Sequence, residues 1–369
     1  MARTKLKLPD ETSIFLVLVA VFIGFSLFSR SFATVGNGLV LLLNGSVVGF
    51  LALGQTFVLL TAGIDLSTAA VMALSGVMGT LFMSWGLPWQ IAVIGALAIA
   101  MVIGVINGLL IQYVHIPAFI ATFGVSGVAA SLAQVIPNGV SITANDQNFA
   151  WLGQGHILGV PVPVVLLACA AIASAALLKW TRLGVHIYAL GGNPRAARLA
   201  GVNTARTTVF VYAISAVFAG TGGLITASRL MVGFPYVGSG NELFYSIAGA
   251  VVGGVSLFGG VGTILGVLIG AVLIATLANG MNVLSISSYW QPFVIGVVIL
   301  AGVAFDMYRR STGGAGLRGL SIGGVRFGRQ TVALPAASDR VVAAVLPPGT
   351  APGTADREGQ PGGDPTRPT

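Results

Sequence analysis

The sequence predicts an all-α polytopic membrane protein with about ten transmembrane helices in two inverted repeats. Composition is the first observation: of 369 residues, 55% are hydrophobic and 8% are charged, whereas soluble domains are about 25% charged. Several apolar runs also reach the ~20 residues that cross a bilayer. Most basic residues before residue 311, finally, lie in three short clusters. A soluble chain of this length could not hide so much apolar surface.

Ten apolar runs are predicted as spans of one transmembrane domain, residues 1–310. Their approximate bounds are 13–28, 36–60, 64–85, 89–112, 117–136, 157–179, 207–228, 242–259, 261–280 and 290–305. The first run follows Arg3, Lys5 and Lys7 and could be a cleaved signal peptide. Its length, and the lack of a clear small-residue cleavage site, favour a retained span. Residues 311–369 are rich in Gly, Pro, Ala, Thr and Arg, which predicts a disordered cytoplasmic tail.

Basic residues give the predicted orientation. They lie before the first span, in the 179–206 loop and after the last span, at Arg309 and Arg310. The predicted number of spans between successive clusters is even, so all three clusters fall on one side. The positive-inside rule makes that side the cytoplasm, with both termini there. Arg30 and Arg229 are the exceptions, on the outer side.

The net charge of +8 does not indicate a nucleic-acid partner. A nucleic-acid surface would carry a basic stripe interleaved with aromatic residues, which this chain lacks. The clusters instead fit contact with the membrane surface and with a cytoplasmic protein.

The loop stretch GGNPRAARLAGV predicts a short helix with a defined start and end. Asn193 is a good N-cap, Pro194 suits the first helical position, and Gly201 suits the left-handed residue that ends a helix. About two turns are not stable alone in water. Two interpretations follow: an amphipathic loop on the membrane surface, or a docking helix for a cytoplasmic partner.

The same helix has two faces. Ala196 and Leu199 form a small apolar face, while Arg195 and Arg198 are three residues apart and share another.

Two stretches resemble each other and predict the repeats. GIDLSTAAVMALSGVMGTLF begins at Gly63, and GNELFYSIAGAVVGGVSLFG begins at Gly240, so that Asp65 matches Glu242. Further on, VINGLL matches LANGMN and pairs Asn107 with Asn279. Spans 2–5 and 7–10 would then have inverted topology, a common plan of transporters whose pathway lies at the repeat interface.

The matched acids Asp65 and Glu242 admit two interpretations. An acid near a helix start is favoured by the helix dipole, which is a purely structural role. Ionisable groups at membrane depth are costly, and so these acids could instead line or gate a pathway. The candidate pathway or gating residues are Asp65, Glu242, Asn107, Asn279 and Phe119.

Several chemistries are missing from the sequence. None of its lysines, Lys5, Lys7 and Lys179, follows a glycine as a P-loop requires, so the chain has no nucleotide-binding motif of that kind. Its three histidines are scattered, without metal-ligand spacing. The sequence shows no pattern of a catalytic nucleophile and its base. We therefore expect no enzyme activity, no cofactor and no metal.

Six motifs in order resemble the membrane-spanning permease subunit of sugar ABC importers of the ribose, xylose and galactose group. They are TAGIDLS, NGLL, IPAFIATFG, YALGGNPRAARLAGV, GSGNELFYSIAGAVVGGVSLFGG and YWQPFVIGVVILAGVAFD, between residues 61 and 306. The resemblance extends over about residues 13–306. Two departures stand out: Ala62 replaces a usual second glycine, and Ala130–Ser131 replaces an Arg-Gly pair.

The resemblance implies a type II importer permease in a bacterial inner membrane. Such a permease pairs with a second permease copy, with cytoplasmic ATPase subunits and with an extracytoplasmic solute-binding protein. It also identifies the predicted helix inside GGNPRAARLAGV as the coupling helix that seats on the ATPase. A pentose or hexose is the expected solute; a branched-chain amino acid, a nucleoside or a polyol are alternatives. The rival functions are a self-standing secondary transporter or channel, and a membrane-embedded enzyme.

Overall fold

The computed structural model describes residues 10–316, and the chain within these bounds is predominantly helical. Its α-helices are α1 (Asp10–Phe28), α2 (Val35–Leu60), α3 (Thr68–Ser84), α4 (Trp89–Gln112), α5 (Ala118–Val135), α6 (Ala150–Gln154), α7 (Val162–Trp180), α8 (Arg182–Gly192), α9 (Pro194–Leu199), α10 (Thr204–Leu230), α11 (Glu242–Val252), α12 (Ile264–Val283) and α13 (Gln291–Gly316). The basic N-terminal cluster and the predicted tail from residue 317 onward lie outside the described residues.

The prediction of an all-α membrane protein is confirmed. Seven of the described helices are long and apolar enough to cross a bilayer, namely α1, α2, α4, α5, α7, α10 and α12. Three apolar stretches are shorter, at Thr68–Ser84, Glu242–Val252 and Ser288–Ala304. Each of the ten predicted spans therefore corresponds to an apolar helix, while the count of full crossings stays a prediction.

Three predicted spans are shorter as helices than their hydropathy suggested. The helix of the third span begins at Thr68, because residues 61–67 form an irregular connection. The sixth begins at Val162, after a hairpin of strands β2 (His156–Ile157) and β3 (Val160–Pro161). The eighth ends at Val252, because Gly254 takes a left-handed conformation with φ +88°. Apolar content alone does not distinguish a helix from an apolar turn.

The two predicted repeats have the same order of long and short elements. In the first half a long helix, α2, is followed by an irregular connection, the short α3, and then α4 and α5. In the second half the long α10 is followed by an irregular connection, the short α11, and then α12 and α13. Strands β1 (Ile142–Thr143) and β4 (Val232–Gly233) pair at the end of the bundle where α10 finishes.

Helix α10 is the centre of the bundle, where it packs against α2, α3 and α4. Glycines allow these contacts to be backbone to backbone. A Cβ on Gly104 of α4 would overlap the Tyr212 carbonyl oxygen of α10, and one on Gly223 of α10 would overlap the Met72 carbonyl oxygen of α3. Small residues have this role in membranes, where lipid is as apolar as a leucine side chain and helices associate through close packing.

We expect Gly104→Ala to destabilise the bundle by about 1–3 kcal/mol, the usual cost of overpacking. Its new methyl group would lie 2.7 Å from the Ala213 Cα atom, which cannot move without shifting α10. Gly24→Ala in α1 is the matched control, because nothing lies within 4 Å of its Cβ position. Thermal unfolding of both variants in detergent is the measurement. Equal melting temperatures for the two variants would contradict the assigned packing.

Candidate functional site

A cavity of about 480 Å³ lies at one end of the bundle, within the size range of small-molecule sites. Helices α2, α10, α11, α12 and α13 contribute polar side chains to its wall. These are Asn44, Thr226, Arg229, Glu242, Tyr245, Asn279, Asn282 and Gln291. Apolar side chains such as Leu51 and Met72 complete the wall. A cavity with several convergent polar groups inside an apolar bundle suits a polar solute.

Hydrogen bonds fix the polar groups of the cavity wall. The Arg229 guanidinium donates to Asn44 Oδ1 at 2.7 Å. On the other side Tyr245 donates its hydroxyl hydrogen to Gln291 Oε1, and Gln291 Nε2 donates to Asn282 Oδ1, both at 2.8 Å. Each bond joins two different helices, or a helix to the next one in the chain. The amide and guanidinium groups are thus held in position with donors and acceptors to spare.

Glu242 supplies the acid of the cavity. It is the first residue of α11, where the helix dipole favours a negative charge. Its Oε2 atom is buried and has no hydrogen-bond partner among the described residues. The dipole interpretation and the pathway interpretation of Glu242 are therefore compatible, because the residue is the first of α11 and also lines the cavity.

Asn279 also lines the cavity and is paired across the bundle. Its side-chain amide exchanges two hydrogen bonds with that of Asn37, at 2.9 and 3.0 Å. Asn37 belongs to the first turn of α2, and Asn279 to the last part of α12. This reciprocal pair closes the bundle at the cavity end.

Asp65 lies elsewhere, in the irregular connection between α2 and α3, and it is fully buried. Its Oδ1 accepts hydrogen bonds from Ser67 N at 2.9 Å and Ser67 Oγ at 2.6 Å, and its Oδ2 accepts one from Ser215 Oγ at 2.8 Å. Asn107 Nδ2 donates to Ser67 Oγ at 2.9 Å. This network ties the connection to α4 and α10. The arrangement is that of a structural carboxyl group.

The five candidate pathway residues are thus not one cluster. Glu242 and Asn279 share the cavity, and Asp65 and Asn107 share the buried network. Phe119 belongs to neither group. It lies on α5, is 57% exposed, and stacks on Phe123 with ring centroids 6.2 Å apart.

Sequence reasoning missed Arg229 and Gln291 as cavity residues. Arg229 was noted only as an exception to the charge rule, although a lone cation at the end of an apolar helix is a signal of function at membrane depth. Gln291 gave no signal, because its neighbours in the cavity come from other helices.

The predicted docking helix forms as α9, Pro194–Leu199. Asn193 Oδ1 accepts hydrogen bonds from Arg195 N at 3.1 Å and from Ala196 N at 3.0 Å, which caps the start. At the other end Gly201 has φ +83°, Gly201 N donates to Arg198 O, and Val202 N donates to Ala197 O. This is the Schellman arrangement.

Helix α9 exposes both apolar and basic side chains. Leu199 is 90% exposed, and Ala196, Arg195 and Arg198 are exposed as well, while Ala197 packs inward. Because α10 begins just after α9 and runs for 27 residues to the cavity, the two features lie at opposite ends of the bundle. An exposed leucine on a rigid, capped turn suits contact with a protein surface.

Helix α8, which leads into α9, is fixed by a tyrosine. Tyr188 donates its hydroxyl hydrogen to Gly262 O at 2.9 Å. Burial raises the pKa of this hydroxyl above its ordinary value, so it remains protonated and available as a donor.

A many-helix bundle with a polar cavity at one end and an exposed capped helix at the other is an arrangement that suits a membrane transport subunit. A family model described as the branched-chain amino acid transport system / permease component matches residues 37–303. The chain belongs to this family and is a multi-pass membrane permease.

Sequence similarity to transport permeases extends over most of this chain and over nearly the whole length of those proteins. The chain is 39% identical over 307 residues to the ribose import permease protein RbsC of Escherichia coli (strain K12), covering 82% of this chain and 95% of that protein. It is 36% identical over 293 residues to the D-allose transport system permease protein AlsC of the same organism, covering 79% and 90%. Its identity to the L-arabinose transport system permease protein AraH is 35% over 301 residues, covering 82% and 92%. No solved structure shows significant similarity to the chain.

We expect Asp65→Ala to lower the melting temperature and the membrane level of the protein more than Glu242→Ala does. Removing Asp65 leaves the buried Ser67 and Ser215 hydroxyls without their acceptor, and a hydrogen bond to a charged group contributes about 1.5–3 kcal/mol. Glu242→Ala removes a carboxylate that already has one unpaired buried oxygen. Immunoblots of membranes and thermal unfolding compare the two. If Asp65→Ala were as stable as wild type but inactive, a pathway role for Asp65 would replace the structural one.

Proposed function

We propose that the chain is the permease subunit of an ATP-driven importer and that it carries a monosaccharide across the bacterial inner membrane. The observation that supports this most directly is the placement of a polar cavity at one end of the bundle and an exposed docking helix at the other. The two features together suit a protein that binds a solute on one side of the membrane and is driven by a partner protein on the other side. Family membership and the named relatives supply the class of transport.

The chemistry of the cavity supports a neutral, hydroxyl-rich solute. Each sugar hydroxyl both donates and accepts, and the wall offers amide groups for both. The wall carries one guanidinium and one carboxylate, so an uncharged solute leaves no net charge buried. Relatives named for ribose, allose and arabinose make a pentose or hexose the solute that we propose.

Three protein partners are proposed, one for each end of the bundle and one to complete the pathway. We place the α9 end in the cytoplasm, together with both termini. The reason is that the basic loop 179–206 contains α9, and loops rich in Lys and Arg lie on the cytoplasmic side. Leu199 and Ala196 would then contact a cytoplasmic ATPase subunit. A solute-binding protein would deliver the sugar to the cavity end, and a second permease copy would complete the pathway.

Alternating access is the proposed mechanism. In this mechanism Glu242 and Asn279, which line the cavity, would contact the solute in the outer part of the pathway. Phe119, which is exposed on α5, would contact the second copy. Asp65 and Asn107 act indirectly, by holding the irregular connection before α3 in place. ATP binding and hydrolysis by the partner then switch the cavity from one side of the membrane to the other.

Docking is tested by Leu199→Asp, which would put a charge into the contact with the ATPase. A charge left buried and unpaired at an interface costs on the order of 2–5 kcal/mol. We expect normal membrane insertion but loss of the ATPase in a pull-down, or loss of solute-stimulated hydrolysis. Arg198→Ala, in an exposed position, is the milder comparison at roughly 0–1 kcal/mol. Full coupling in Leu199→Asp would leave α9 as a surface loop, and no co-purifying ATPase at all would favour a self-standing transporter.

The cavity is tested by Glu242→Gln in sugar uptake. Gln is close in shape but lacks the charge, and a charge-assisted hydrogen bond is about twice as strong as a neutral one. We expect uptake of the sugar to fall roughly tenfold, which corresponds to about 1.4 kcal/mol, with unchanged membrane level and ATPase binding. Glu242→Asp keeps the charge and should retain more of the uptake. Unchanged uptake kinetics in Glu242→Gln would reduce the residue to a partner of the helix dipole.

A further inference from the structure

The connection between α11 and α12, residues 253–263, is a meeting point of the bundle at the α9 end. Four hydrogen bonds tie it to four different helices. They are Gly260 N to Leu60 O at 2.9 Å, Tyr188 Oη to Gly262 O at 2.9 Å, Thr263 Oγ1 to Glu11 Oε1 at 3.0 Å, and Ser256 Oγ to Asp306 Oδ2 at 2.6 Å. A displacement of any of these helices would therefore also displace the connection.

Gly191 joins α8 to this meeting point through bare backbone. It is buried, it lies three residues before Pro194, the first residue of α9, and a Cβ at its position would overlap the Leu60 carbonyl oxygen. The same Cβ would lie 2.6 Å from Gly260 N. Backbone against backbone leaves no flexible side chain to absorb a movement, and packed protein interiors have low compressibility. A shift of α8 and α9 must move Leu60 and Gly260 as well.

Three helices that line the cavity have one terminus at this junction, because α2 and α11 end there and α12 begins there. Leu60 is the last residue of α2, which carries Asn44. The connection itself joins α11, which begins with Glu242, to α12, which carries Asn279. The junction thus lies between the docking helix and the cavity wall.

We propose that Gly191 is a positioning residue that transmits the movement of the docked α9 to α2, α11 and α12, and through them to the solute cavity. This proposal rests on the proposed function, since it assumes an ATPase seated on α9. It adds the route: the movement enters through the backbone contact of Gly191 with Leu60 and Gly260, and Tyr188 holds α8 against the connection.

The test compares Gly191→Ala with Gly192→Ala in the complete importer, reconstituted with its ATPase and its solute-binding protein. Nothing lies within 4 Å of a Cβ on Gly192, and that residue is exposed, so the pair differs in the junction alone. Four quantities are measured: ATPase recovered in a pull-down, basal ATP hydrolysis, solute-stimulated hydrolysis, and sugar uptake.

For Gly191→Ala we expect normal pull-down and basal hydrolysis, with uptake and the solute-stimulated increment in hydrolysis reduced at least tenfold. The loss should appear in the maximal rate of uptake rather than in its KM. Gly192→Ala should behave as wild type in all four measurements. Equal coupling in the two variants would overturn the proposal, as would a loss of uptake that only parallels a loss of ATPase binding.

Tyr188→Phe decides the matter if Gly191→Ala fails to reach the membrane. It removes one hydroxyl and its bond to Gly262 O, and it keeps the ring. We expect a several-fold fall in solute-stimulated hydrolysis at unchanged basal hydrolysis and pull-down; full coupling would overturn the proposal. Failure of the proposed function looks different, because the wild-type protein would then bind no ATPase or take up no sugar.

Discussion

Close approach of bare helix backbones is the constraint on which the rest of this structure depends. Inside a membrane, helices gain little from the hydrophobic effect and associate through tight packing. Gly104 and Gly223 bring α4 and α3 against α10 where a single methyl group would collide with a carbonyl oxygen. The same device recurs at Gly191, where it joins the docking end to the bundle. Glycines at these three positions are thus part of the architecture of the bundle.

Polar groups within this packing divide into satisfied and available ones. Asp65 receives three hydrogen bonds and holds an irregular connection in place. Glu242, its counterpart in the similar stretch, lies in a cavity wall and has one buried oxygen without a hydrogen-bond partner in the part of the chain that the structure describes. Asp65 lies in the connection three residues before α3 begins at Thr68, whereas Glu242 is the first residue of α11, and their surroundings differ as well. Matched positions of the two similar stretches therefore have different surroundings, a hydrogen-bonded connection for one acid and a cavity wall for the other.

The helical class and the docking helix were predictable from the sequence, because their determinants are local. Hydropathy defines the long helices, and a cap such as Asn193 and a stop such as Gly201 act within four residues of the helix end. The cavity was predictable only in part. Its wall joins Asn44, Arg229 and Gln291, which come from three helices far apart in the chain, and no spacing rule relates them. The irregular connection before α3 was hidden as well, since its apolar residues read as helix.

Helix α1 packs chiefly against α12, where the Phe25 ring lies over Gly280, and its Glu11 accepts a hydrogen bond from Thr263 at the start of that helix. The partner of α1 is made more than two hundred residues later in the chain. At ~5–20 residues per second the first helix waits roughly 10–50 seconds for it. During translation α1 must therefore be soluble in lipid by itself, and its exposed Leu16 and Ile23 suit that interval as much as the finished protein.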